Sequence, residues 1–188
     1  MFKWSIVANL TNALDYTASS LGNHEFDDGD SDLEQFTKAV PYPMLACNLD
    51  LSQHDHGLEN LIKPSITKEV LYKGKKHVVG IIGYVTPDTK VLSNAGEKVV
   101  FLDEVPALQR EVERMQRQGI TIIIAVGHSG YKKDLEIAKK VCICASYNYR
   151  NIRLGITIII LSLSSLKKYH DINYLLGRRP RHDHWRTY

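Results

Sequence analysis

Two short segments of this chain carry the residue types that do chemistry. Residues 21 to 29 read Leu-Gly-Asn-His-Glu-Phe-Asp-Asp-Gly, and residues 127 to 130 read Gly-His-Ser-Gly. Asn23 and His128 offer an amide oxygen and an imidazole nitrogen, donors that suit borderline divalent ions such as Zn²⁺ or Mn²⁺. His24 has a carboxylate, Asp27, three residues on. That spacing suits proton transfer, with the carboxylate fixing the imidazole tautomer. The plain alternative for the first segment is a polar surface turn, since Asp, Asn and Gly are the usual turn formers and helix caps. Glu25 and Asp28 read better as structural, holding the loop and capping the helix that follows.

Elements to position these loops are legible on both sides. Leu33, Phe36, Ala39 and Val40 give a short amphipathic helix from Asp32, capped by Ser31 or Asp30 and stopped by Pro41 and Pro43. Met44 to Leu51 reads as a buried strand running into a loop, and His77 to Val85 as a second buried strand. Val105, Leu108, Val112 and Met115 share one face of a helix over 103–118, which Gly119 ends. Ile120 to Val126 is a strand that runs straight into the Gly-His-Ser-Gly loop, and a helix follows from Lys132 to Val141. This order predicts a layered α/β domain. In the polar stretch 52–65, His54 and His56 read as solvated residues rather than metal ligands.

The bulk composition sets bounds. The chain has 188 residues, 44% hydrophobic and 24% charged, which fits one globular domain with its own core. From Val141 onward there are eight Lys/Arg against two Asp/Glu, a net +6 against an overall +3, which leaves the first 140 residues at −3. Such asymmetry suits a nucleic-acid- or membrane-binding tail, or segments of different origin. The first 140 residues offer no basic groove, so nucleic acid is not an expected partner. Cys47, Cys142 and Cys144 set no redox compartment. The most apolar run, Ile156 to Leu161, is far short of the ~20 residues of a membrane span. Asn9, Thr11 and Asn12 interrupt any leader core. The hexapeptide Gly119–Ile124 recurs at Gly155–Ile160, two strand-like runs without a repeat domain around them.

The two loops, in this order and separated by an α/β segment, resemble the metallophosphoesterase superfamily. More narrowly they resemble the 5′-nucleotidase family, with its ecto-5′-nucleotidases and arthropod salivary apyrases. The stretches that carry the likeness are NALDYTASSLGNHEFDDG, YPMLACNLDL, VVGIIGYVTPDT, LSNAG and IIIAVGHSGYKKDLEIAKKV, from about Ser5 to Val141. The resemblance implies a four-layer α/β/β/α, calcineurin-like fold and a metal-dependent hydrolase of nucleoside 5′-phosphates such as AMP, ADP or ATP. It implies two divalent ions, with Zn expected and Mn, Mg or Ca as alternatives. Asn23 and His128 would ligate one ion, His24 would protonate the leaving oxygen, Asp27 would orient His24, and Asn94 would line the substrate pocket. It further implies an extracellular or cell-surface location and a homodimer.

The family's Asp-x-His and Gly-Asp blocks precede Gly-Asn-His, and neither occurs in the 21 residues before Gly22; no Gly-Gly-His-Ser follows Gly-His-Ser-Gly. The expectation is therefore an incomplete metallophosphoesterase domain over 1–141 and a divergent, poorly ordered basic tail over 142–188. An isoform or an altered reading of a longer gene would give such a chain. Catalytic competence separates from family membership on this reading. The alternative is a non-catalytic nucleotide- or metal-binding or interaction module.

Overall fold

In the computed structural model the described residues are 3–54, 57–147 and 157–162; for residues 3, 142–147 and 157–162 only the backbone is described. Helix α1 (Lys3–Thr11) leads into strand β1 (Ser19–Ser20), a 3₁₀ turn over His24–Phe26, and helix α2 (Asp30–Ala39). Then come β2 (Met44–Leu45), β3 (Leu49–Asp50), α3 (Leu58–Leu61), β4 (Ile62–Lys63), β5 (Ser65–Tyr72) and β6 (Lys75–Val85). The order closes with α4 (Thr89–Leu92), β7 (Val100–Phe101), α5 (Glu104–Arg117), β8 (Ile122–His128), α6 (Tyr131–Tyr147) and β9 (Thr157–Ser162).

Among the described residues the strands form three sheets. β1-β2-β4 is all parallel, β3 pairs antiparallel with β7, and the largest sheet runs β5-β6-β8-β9. In that sheet only β5–β6 is antiparallel, while β6, β8 and β9 run parallel. β8 takes its place because Ile123 and Ala125 are buried with helices packed over them, so an apolar run is stable there. α5 packs against β6 and α6, and Leu108, Val112 and Met115 join Ile82, Tyr84 and Ile137 in one core. A second core gathers Leu33 and Phe36 of α2 with Leu21, Phe26, Met44 and Ile62, and α1 lies against α2. The sheets meet at Gly83, whose N–H and C=O bond to Pro64 O and Cys47 N. A Cβ there would stand 2.3 Å from Leu45 O, so only glycine allows this approach.

Several sequence expectations need correction. Met44 to Leu51 is not one strand: β2 and β3 belong to different sheets, with Cys47 and Asn48 between them turning toward β6 and Leu102. The stretch read as irregular contains α3 and β4, and β5 and α1 were not foreseen. α2 is not capped by Ser31 or Asp30 side chains. Its N-cap is Gly29 at φ 86°, and Asp30 bonds elsewhere. The helix over 103–118 begins as expected, with the Asp103 carboxylate accepting from Val105 N–H at 2.9 Å. Residues 163–188, which include most of the basic tail, lie outside the described residues, as does His56.

Candidate active site

The segment from Gly22 folds on itself. Glu25 accepts the Gly22 N–H at 2.8 Å, and Phe26 is fully buried, edge-on to Phe101 at 5.4 Å. That anchor turns His24 outward, with its side chain 78% exposed, and places Asp27 one turn on. His24 Nδ1 meets Asp27 Oδ2 at 2.7 Å. The hydrogen bond and charge of Asp27 raise the His24 pKa above its ordinary value. The Asp27 carboxyl is held below its own by hydrogen bonds from Ser93 first and His24 second. With Nδ1 committed to Asp27, Nε2 is the nitrogen left to exchange a proton with a ligand.

The second loop arrives on the sheet. Val85 is paired with His128 in the β6–β8 register, and Thr86 N–H donates to His128 O at 3.0 Å. At that strand end His128 Nε2 donates to Asn23 Oδ1 at 2.9 Å, across 105 residues of sequence. Two ligands of a tetrahedral ion at about 2.1 Å stand about 3.4 Å apart. The 2.9 Å contact is that of a hydrogen bond, with a proton of His128 between the two atoms, and it shows the two donor groups adjacent at one point. Asn23 and His128 fit such an ion as a corner of its shell. Among the described residues no group of three or more His, Cys, Asp or Glu converges to complete it.

Beside the His24–Asp27 pair is an open cleft of about 390 Å³, lined by Trp4, Val7 and Phe36 and by Glu25, Asp28 and Asp32. Asn94 is exposed and stands off that cleft, with its amide nitrogen 3.8 Å from where a Cβ on Gly29 would lie. The residue before it, Ser93, reaches the pair directly, donating to Asp27 Oδ1 at 2.6 Å. Sequence reasoning passed over Ser93 although it stands in the Leu-Ser-Asn-Ala-Gly stretch. His54 also differs from its expectation. It is buried, not solvated, with Nε2 3.0 Å from Asp30 Oδ2.

No protein-family model matches the chain. Curated relatives do. It is 43% identical over 141 residues to "Protein 5NUC" of Lutzomyia longipalpis. It is 41% identical over 146 residues to the human 5′-nucleotidase and 38% identical over 141 to a snake venom 5′-nucleotidase of Naja atra. These matches cover 74–75% of this chain and 24–26% of each relative, so the chain spans about a quarter of their length. Among solved structures, it resembles a 5′-nucleotidase precursor of Thermus thermophilus, with TM-score 0.64 and 36% identity over 72% of this chain and 26% of that one. It also resembles the calcineurin-like phosphoesterase YfkN of Bacillus subtilis, with TM-score 0.58 and 28% identity over 68% of this chain and 39% of that one. Over three quarters of its length, then, with the α/β architecture and the two loops described above, this chain belongs to the 5′-nucleotidase family of calcineurin-like metallophosphoesterases.

Proposed function

We propose that this chain carries the proton-transfer arm and one metal corner of a centre that hydrolyses nucleoside 5′-phosphates, and that the 188 residues assayed by themselves turn over little. The observation that carries the reading is the meeting of Asn23 and His128 beside the His24–Asp27 pair. His24, held by Asp27 at Nδ1, gives a proton from Nε2 to the ester oxygen that leaves with the nucleoside. Asp27 keeps the ring in one orientation and stabilises the imidazolium. Asn94, exposed beside Gly29, contacts the substrate. Asn23 and His128 are the residues that would hold a divalent ion, Zn²⁺ or Mn²⁺. When bound, such an ion neutralises charge on the phosphoryl oxygens and lowers the pKa of water.

Magnitudes decide how active the chain can be. General acid catalysis contributes roughly 10² to 10⁴-fold. Enzymes that hydrolyse phosphate monoesters accelerate the reaction by up to about 10²¹-fold. Two donors do not close a metal shell, because affinity rests on ligand count and on outer partners that fix each ligand. The acid/base pair is thus far too weak to stand in for a full centre. Little turnover by these residues alone follows. The relative from venom supports an extracellular setting for the activity.

The experiment is phosphate release from AMP by the purified chain with saturating Zn²⁺ or Mn²⁺, with His24→Ala as control. Release at the level of His24→Ala is the expected result. Robust turnover that His24→Ala abolishes would overturn the low-activity part of the reading.

A further inference from the structure

Asp27 does not hold His24 unaided. Oδ2 faces the imidazole, while Oδ1 accepts from the Ser93 hydroxyl at 2.6 Å, from 66 residues further along the chain. Both oxygens are thereby committed, so the half-exposed carboxylate has one orientation rather than the broad distribution that an Asp terminal torsion otherwise samples.

The position of Ser93 is itself determined. It follows α4, and its N–H donates to Thr89 O at 3.0 Å. The turn after it is pegged on two sides. Gly96 N–H donates to Asp30 Oδ1 at 3.0 Å, and the Lys90 ammonium donates to Gly96 O at 2.8 Å. Asp30 Oδ2 in turn meets the buried His54 ring. A Cβ at position 96 would stand 2.2 Å from Asp30 Oδ2, so the peg needs glycine there. Asp30 opens α2, directly after the loop that carries His24 and Asp27, and so it ties the Ser93 turn to the same rigid element.

We infer that Ser93 is a positioning residue for the proton-transfer pair. Its hydroxyl orients the Asp27 carboxylate so that the neutral His24 ring keeps its proton on Nδ1 and leaves Nε2 as the reacting nitrogen. The inference rests on the reading of His24 as the group that exchanges a proton with the leaving oxygen. A Ser–Asp bond that only steadied two surface loops would leave the imidazole tautomer where it is.

The test is a tautomer measurement, which needs no turnover. The full chain is labelled with ¹⁵N-histidine, and the His24 ring nitrogens are read by NMR at alkaline pH, where the imidazole is neutral. Wild type is expected as the Nδ1–H form. Asp27→Asn is the reference for a broken pair. Ser93→Ala is expected to lose the Nδ1–H form in favour of Nε2–H with the urea midpoint unchanged, and Ser93→Thr, which keeps the hydroxyl, is expected to restore it. A wild-type ring already in the Nε2–H form sinks the acid/base reading itself. A wild-type Nδ1–H ring that Ser93→Ala leaves intact sinks this inference alone.

Discussion

Asn48 is the residue whose removal most directly couples fold to site. It is fully buried, and its side chain makes three hydrogen bonds to backbone. Oδ1 accepts from Val85 N–H at 3.0 Å, and Nδ2 donates to Val85 O at 2.7 Å and Leu102 O at 3.0 Å. Val85 is the residue paired with His128 across β6–β8. Asn48→Ala deletes all three bonds and leaves the Val85 N–H and C=O, both buried, and the part-buried Leu102 O without this partner. At about 1 kcal/mol net for each bond, the loss is roughly 3 kcal/mol, a large part of a typical domain's stability. With a urea slope near ~2 kcal/mol/M, the midpoint should fall by roughly 1.5 M with the slope unchanged. Asn48→Asp should be worse at neutral pH, because it turns a carboxylate toward two carbonyls in a dry site. Equilibrium unfolding followed by far-ultraviolet circular dichroism measures both. A midpoint drop of less than about 0.5 M for the alanine variant would show that the three bonds are not holding the β6 end, and the coupling would fail.

The remaining predictions concern packing, pH and metal. Gly127→Ala places a methyl 2.0 Å from the Tyr84 ring, which is buried and tied through its hydroxyl to Asp134 at 2.8 Å, so it should cost about 1–3 kcal/mol in urea unfolding. Gly83→Ala should cost more, since the obstacle there is Leu45 backbone; equal losses would refute that ordering. Burial alone would push Glu111 up, but hydrogen bonds from Arg114 and Ser65 outweigh it and leave the carboxyl below its ordinary value of 4.5. A depressed carboxyl stabilises above its unfolded value and loses that contribution as pH falls through the folded one. Glu111→Gln should therefore destabilise at pH 7, with the difference from wild type shrinking as pH falls below 4.5, and a difference that grows on acidification would contradict the sign. A two-donor corner with millimolar affinity gains only about 0.1 kcal/mol or less at 0.1 mM Zn²⁺, so thermal unfolding should not shift. A rise of several degrees that His128→Ala removes would mean that further donors complete the site.

Legibility in the sequence tracked how local each cause was. α5 was readable because Leu108, Val112 and Met115 repeat at helical spacing and Asp103 caps them within two residues. β6 and β8 were readable because β-branched runs bounded by glycine suit strands buried under helices. β5 escaped because most of it is exposed and its stability comes from pairing with β6, turned by Lys73 and Gly74 at φ 49° and 75°. Two positive φ values make the hairpin turn, and a Lys in the first is not the usual signal. His54 was misjudged for the same kind of reason. Its partner Asp30 lies 24 residues away, so nothing near it in sequence announces burial. Motif spacing identified Asn23, His24, Asp27 and His128 as candidates, while the Ser93–Asp27 bond spans 66 residues and only the fold brings it about.

The candidate site divides along the same line, and that division bears on what the chain can do. His24 and Asp27 are three residues apart on one turn, anchored by Phe26, so their pairing needs little beyond the local loop. Asn23 and His128 meet only because β6 and β8 hold register and the two sheets meet at Gly83. A metal corner made that way depends on the whole domain's packing, and its ligands gain rigidity from elements neither residue belongs to. β9 extends the parallel order by one strand, and its Ser162 stands opposite Gly127, one position short of His128. A third parallel strand thus runs in register beside the one that carries His128. Among the described residues the candidate donor chemistry is concentrated on one loop and one strand end. On the proposed reading, proton transfer is accordingly the step for which the described residues are best arranged.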